Sequence, residues 1–180
     1  MNYYTADLHL GHANVINFDH RPFSDVEEMD RHLITAWNER VQINDTVFIV
    51  GDFCFRGGNP ADRYLKQLAG HKVLVVGNHD SVTLRNREAV KLLDGVEKML
   101  HISDEGQQIQ LCHFPIIEWN GFHRGAWHIY GHIHNRKDDT YEYMNNRERA
   151  LNAGCMINGY RPVTFRELVE NNRAYQAGEE

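Results

Sequence analysis

Short apolar runs alternate with amphipathic stretches along the chain. Residues 2–6, 46–50 and 73–76 are strand-like, and Thr46-Val47-Phe48-Ile49-Val50 and Val73-Leu74-Val75-Val76 are nearly continuous in apolar character. Continuous apolar runs of this length belong to strands covered on both faces. Val26, Met29, Leu33, Ile34 and Trp37 recur at helical spacing behind Ser24-Asp25-Val26-Glu27, which predicts a helix with Ser24 as N-cap and Glu27 closing a capping box. Residues 11–23 between them read as a loop. Asn59-Pro60 predicts an N-cap followed by proline at the first helical position of a short helix carrying Tyr64, Leu65 and Leu68, with Gly70 as its stop. A further helix is expected over residues 82–93.

The pattern then changes. Residues 96–102 and 107–112 read as two strands joined through Glu105-Gly106, followed by strands at 127–130 and 150–152. Thr164-Phe165-Arg166-Glu167 is a second capping box and opens a C-terminal helix. Strand-like and helix-like pieces alternate through short connections, without repeats or low-complexity segments. That favours α/β layering in one domain over residues 1–180.

Composition narrows the class. The 180 residues hold 19 Lys+Arg against 25 Asp+Glu, a formal net charge of −6. An acidic chain lacks the basic footprint expected for binding duplex nucleic acid, although a nucleotide substrate stays open. Cys54, Cys112 and Cys155 form no CxxC pattern and read as small buried thiols. With no signal-peptide pattern at the start and no membrane-length apolar run, a cytoplasmic protein is expected.

The candidate chemistry lies where the strands end. Asp7-Leu8-His9, Gly51-Asp52, Gly77-Asn78-His79-Asp80, Cys112-His113 and Gly131-His132-Ile133-His134 mostly follow apolar runs directly. A strand end offers a rigid base with an exposed tip. If the backbone there is extended, Asp7 and His9 point to one side and can share a metal, as can His132 and His134. Gly51, Gly77 and Gly131 each precede a motif, where a tight turn or close backbone approach is useful. The carboxylate, imidazole and amide donors suit divalent Mn, Fe or Zn better than Mg alone. They suffice for two ions about 3.5–4 Å apart, an arrangement used in phosphoryl-transfer hydrolysis.

Taken in order, these residues resemble the calcineurin-like metallophosphoesterase superfamily, whose pattern is D-x-H, G-D, G-N-H-[DE], H and G-H-x-H. Asp7 to Asn14 and Arg21-Pro22-Phe23 look most like the small single-domain bacterial and phage phosphoesterases of that group. The resemblance implies a four-layer α/β/β/α sandwich, two mixed sheets flanked by helices. It implies one metal on Asp7, His9, Asp52 and His134 and a second on Asp52, Asn78, His113 and His132. The pair would be Mn²⁺ first, with Fe, Zn, Ni or Co as alternatives. It also implies His79 as general acid, oriented by Asp80, with a hydroxide bridging the metals as nucleophile.

His12, Arg21, Arg56 and Asn78 are the candidate substrate contacts. Phe55 stands where the protein Ser/Thr phosphatases carry a second aspartate, which speaks against that activity. The expected function is hydrolysis of a small or nucleotide-like phosphodiester. A phosphomonoesterase is the alternative, followed by a nuclease and a non-catalytic scaffold. Specificity is expected from loops 11–23, 53–59 and 118–125. The last of these, with Trp119, Phe122, His123 and Arg124, reads either as a base- or phosphate-binding loop or as a homodimer contact.

Overall fold

In a computed structural model, which describes residues 1–178, the chain folds into an α/β sandwich of two four-stranded sheets with helices on the outside. The first sheet contains β1 (Asn2–Thr5), β2 (Thr46–Ile49), β3 (His71–Val75) and β4 (Gly95–Glu97), in that order and all parallel. The second contains β5 (Leu100–Asp104), β6 (Gln107–Leu111), β7 (Trp127–Tyr130) and β8 (Ala150–Asn152). There β5 and β6 form an antiparallel hairpin, and β6, β7 and β8 run parallel. Bridges from Tyr4 to Val163 and from Ala6 to Gly154 tie the edge of the first sheet to the chain that follows β8.

Alternation along the strands distributes the core. Tyr4, Phe48, Val50 and Val75 face Ile109, Leu111, Ile129 and Leu151 between the sheets. Tyr3, Val47, Ile49 and Leu74 point the other way, onto Met29, Leu33 and Trp37 of α2 (Val26–Asn38) and onto Tyr64 and Leu65 of α3 (Ala61–Leu65). The outer face of the second sheet is covered by Trp119, Ile133, and Tyr141 and Met144 of α6 (Asp139–Asn145). The last helix, α7 (Phe165–Ala177), has the capping box read from Thr164 and Glu167 and sends Phe165 and Leu168 into the inter-sheet core.

Several local expectations shift. Asp25, not Ser24, caps α2, accepting from the Glu28 amide at 2.8 Å, while Ser24 donates to the Glu28 carboxylate. Pro60 is the residue before α3 rather than its first. Residues 11–23 are not all loop: α1 (Ala13–Phe18) starts after His12. The helix expected at 82–93 is two, α4 (Ser81–Arg85) and α5 (Arg87–Lys91). Asn86 leaves helical conformation between them, and its side chain caps α5 through Glu88 and Ala89. The strand expected at 96–102 is also two, because the chain crosses from one sheet to the other at Lys98-Met99.

Parallel strands share an end. β1, β2 and β3 in one sheet and β6 and β7 in the other each deliver one motif just past their C-terminal ends. Open α/β sheets bind ligands at such ends.

Candidate metal centre

The first donor group is Asp7, His9, Asp52 and His134. One ligand atom from each lies within 4.8 Å of all the others, and these residues can hold a metal ion. His9 Nε2 is 3.2 Å from His134 Nε2 and 3.6 Å from Asp52 Oδ2. His134 Nε2 is 3.8 Å from Asp7 Oδ1. Asp7, His9 and Asp52 are buried. Burial pushes the Asp7 carboxyl up to about 6 against the opposing pull of His134 and His113. Burial pushes His9 down to about 2, with His134 and Arg21 adding to the effect. His9 Nδ1 is buried without a hydrogen-bond partner. Crowded acceptors carrying such desolvation costs fit a divalent cation, whose charge offsets them.

The second group meets the first at Asp52. Asp52 Oδ2 lies 3.5 Å from His113 Nε2. Asn78 Oδ1 lies 3.0 Å from both His113 Nε2 and His132 Nδ1. His113 Nδ1 is 2.9 Å from the Val50 carbonyl, which fixes its ring and turns Nε2 toward the cluster. All seven residues with expected ligand roles therefore converge, in two groups joined by one carboxylate.

Extended backbone does not bring them together. Asp7, His9, Asp52, His132 and His134 all have left-handed φ, between +51° and +72°. Asp and His tolerate that region better than most residues, at a cost of order 1 kcal/mol each. His132 and His134 accordingly part, one toward Asn78 and the other toward His9. The glycines make room for the side chains. A Cβ on Gly51 would lie 2.1 Å from His113 Nδ1, and one on Gly77 would lie 2.4 Å from Asp52 Oδ1.

Three side chains hold this arrangement from beneath, and sequence reasoning missed or misread each. Asp19 belongs to no motif, yet it is buried and its Oδ1 lies 2.7 Å from His134 Nδ1. Arg21, expected to touch substrate, is buried instead. Its guanidinium donates twice to Asp19, once each to the carbonyls of Asp7 and Leu8, and once to Met29 Sδ, which commits all five N–H groups. The Asp80 carboxylate, expected to orient His79, accepts instead from the backbone amides of Asp52, Phe53 and Gly77 at 2.7–2.9 Å. It ties the β2 and β3 loops together.

The remaining candidates face solvent or the rim. His79 is exposed; its amide donates to Asp52 Oδ1 at 2.8 Å, and its ring lies edge-on to His9 at 5.3 Å. His12 Nδ1 accepts from the Val15 amide, which puts the ring proton on Nε2, and the ring packs on Phe55 at 3.9 Å. Arg56 is exposed, and among the described residues it has no hydrogen-bond or ion-pair partner. The exposed Phe114, which the sequence did not single out, packs against His132 at 4.8 Å. Loop 118–125 lies at the other end of the sheet, leading into the start of β7, and its Trp119 is buried with the indole N–H on the Ala126 carbonyl. Cys54, Cys112 and Cys155 are free and buried.

Fold and site together define an α/β sandwich carrying an Asp/His cluster able to hold metal at its strand ends. No model of a known protein family matches the chain. It is 31% identical over 170 residues to the uncharacterized protein MJ1445 of Methanocaldococcus jannaschii, covering 93% of this chain and 89% of that one. It is 30% identical over 159 residues to the gene 66 protein of Mycobacterium phage L5, covering 73% and 76%. The chain belongs to one family with these proteins. Among solved structures, AQ665 of Aquifex aeolicus, a protein of unknown function, is similar with TM-score 0.72 and 26% identity over 94% of this chain and 98% of that one. Among the described residues, no helix is long and apolar enough to cross a membrane.

Proposed function

We propose that this chain is a dinuclear metal-dependent phosphoester hydrolase acting on a small or nucleotide-like phosphodiester. The carrying observation is Asp52, whose Oδ2 stands 3.6 Å from His9 Nε2 in one donor group and 3.5 Å from His113 Nε2 in the other. A carboxylate between two such groups is what a shared ligand of two cations requires. Held by these residues, two divalent cations supply activation of water near neutral pH and charge neutralisation at the phosphoryl oxygens.

The chain's own groups do the rest. His79 is exposed beside the cluster and donates a proton to the departing alkoxide. Its amide bond to Asp52 fixes its position relative to the donor groups. His12 presents Nε2–H at the rim, where it can donate to a phosphoryl oxygen. Asp80 keeps the β2 and β3 loops in register, so its contribution is to geometry rather than to proton transfer.

The test uses chromogenic esters. Protein supplied with Mn²⁺ is expected to carry two metal ions per chain and to hydrolyse bis(p-nitrophenyl) phosphate in preference to p-nitrophenyl phosphate, with activity abolished by chelation. Two bound ions with neither ester hydrolysed would overturn the reading. Hydrolysis of the monoester alone would replace it with a phosphomonoesterase.

A further inference from the structure

Near the metal cluster lies a cavity of about 340 Å³, between the loop after β2, the start of α3 and the helix α4. Phe55, Pro60, Ala61 and Val82 give it an apolar floor, and Arg56 and Arg85 supply its charge. It is one ring removed from the candidate ligands: His9 and His12 are 5.7 Å apart, and His12 packs on Phe55 at 3.9 Å. Its other wall, α4, follows directly from the turn that carries His79 and Asp80.

The two arginines are uncompensated. Among the described residues neither makes an ion pair or a side-chain hydrogen bond. Asp62 of α3, next to the cavity residue Ala61, is already taken by Lys66 at 2.8 Å and by Asn86 at 2.8 Å. The wall is also held in place. Gly11 and Gly58 approach so closely that a Cβ on Gly11 would lie 2.4 Å from Gly58 Cα. The Gly11 amide and the Tyr64 hydroxyl both donate to Asp30. A fixed recess with an apolar floor and two free guanidinium groups suits a phosphate attached to a flat or aliphatic linker.

We propose that this cavity receives a second phosphate of the substrate, so that the substrate is a nucleotide diester carrying a phosphate beyond the scissile one. The assignment rests on the hydrolase reading above and adds what the scissile phosphate is attached to. The scissile group sits at the metal ligands, and the second anion reaches past His12 to Arg56 and Arg85.

The test pairs a diadenosine dinucleotide bearing a 5′-phosphate with its counterpart lacking that phosphate. Each is used as the natural diester for kinetics and as the slowly cleaved phosphorothioate for binding calorimetry, on the Mn²⁺-loaded protein. The phosphorylated compound is expected to bind about tenfold more tightly, the scale of one partly exposed charge-assisted contact. Arg85→Ala removes that advantage, Arg85→Lys restores part of it, and neither alters binding of the unphosphorylated compound. Equal affinities in the unmodified protein, or an equal loss for both compounds in Arg85→Ala, overturn the proposal. Discrimination in binding with neither natural diester hydrolysed overturns the substrate assignment through the hydrolase reading, leaving an anion site alone.

Discussion

His134 Nδ1 lies 2.7 Å from Asp19 Oδ1, and the other oxygen of that carboxylate receives two N–H groups of Arg21. Asp19 thus fixes which nitrogen of His134 faces the donor cluster. The His134–Asp19 bond holds the imidazole while Nε2 points at Asp7 and His9. Outer partners of this kind sustain metal affinity. Asp19→Ala is expected to weaken metal binding by about 10–100-fold in a calorimetric titration. Unchanged affinity would show that His134 is held by its packing instead.

Arg21 makes a stability prediction where the sequence suggested a substrate contact. Removing it leaves Asp19 buried without its cation, the Leu8 carbonyl without a donor and the Asp7 carbonyl with only the Cys155 thiol. Arg21→Ala is expected to lower unfolding free energy by about 3–5 kcal/mol in denaturant. Arg21→Lys should recover little of it, because an ammonium cannot reproduce the fork of five donors. Unchanged stability together with a raised KM would restore the substrate role.

His79→Ala should separate chemistry from metal binding. The ring is exposed and stands outside both donor groups, so two metal ions per chain should remain by elemental analysis. Diester turnover is expected to fall by about 10²–10⁴-fold, the range for loss of a general acid. Full activity in this variant would remove His79 from the mechanism.

Gly77→Ala tests the close approach at the shared carboxylate. The added methyl would meet Asp52 Oδ1 at 2.4 Å and the Asp52 amide nitrogen at 2.7 Å, so Asp52 or its loop must move. Loss of metal binding with the far-ultraviolet circular dichroism retained is expected. Normal metal content would mean that the loop can yield without disturbing the ligands.

His128 makes a pH prediction away from the site. One ring nitrogen lies 3.1 Å from the Gln110 carbonyl, and the other accepts from the Ile116 amide. A second proton would therefore face an N–H. Burial pushes its pKa down from 6.5 to about 4. The unfolded chain then binds the extra proton first, so this contribution is complete above about pH 6.5 and is lost as pH falls toward 4. The loss is of order 3 kcal/mol. His128→Gln should be less stable at neutral pH but show a shallower decline between pH 6.5 and 4. Parallel declines would mean that other groups carry the acid sensitivity.

The strand positions of β2 and β3 were legible because burial on both faces selects apolar runs, and the candidate motifs at the strand ends because metal chemistry selects few residue types. Strand boundaries within 96–102 were not, because apolar character is the same on either side of a crossing between sheets. The single helix expected at 82–93 failed on Asn86, whose side chain competes with the helix for backbone amides. Arg21 and Arg56 look alike as motif-adjacent arginines, yet one is consumed in the interior and the other faces solvent. Burial is a property of the assembled chain.

By itself, then, the sequence determined the layered α/β architecture and picked out the candidate ligand residues, since both depend on residue type and local order. Their division into two groups about Asp52 was implied by the family resemblance, and the tertiary structure alone supplied the distances within and between those groups. It also decided that left-handed backbone at five of them, rather than extended pairing, aims their side chains. The supporting roles of Asp19, Arg21 and Asp80 emerged there too. Their partners lie up to 115 residues away along the chain, as for Asp19 and His134, and meet only when parallel strands of two sheets bring their ends together.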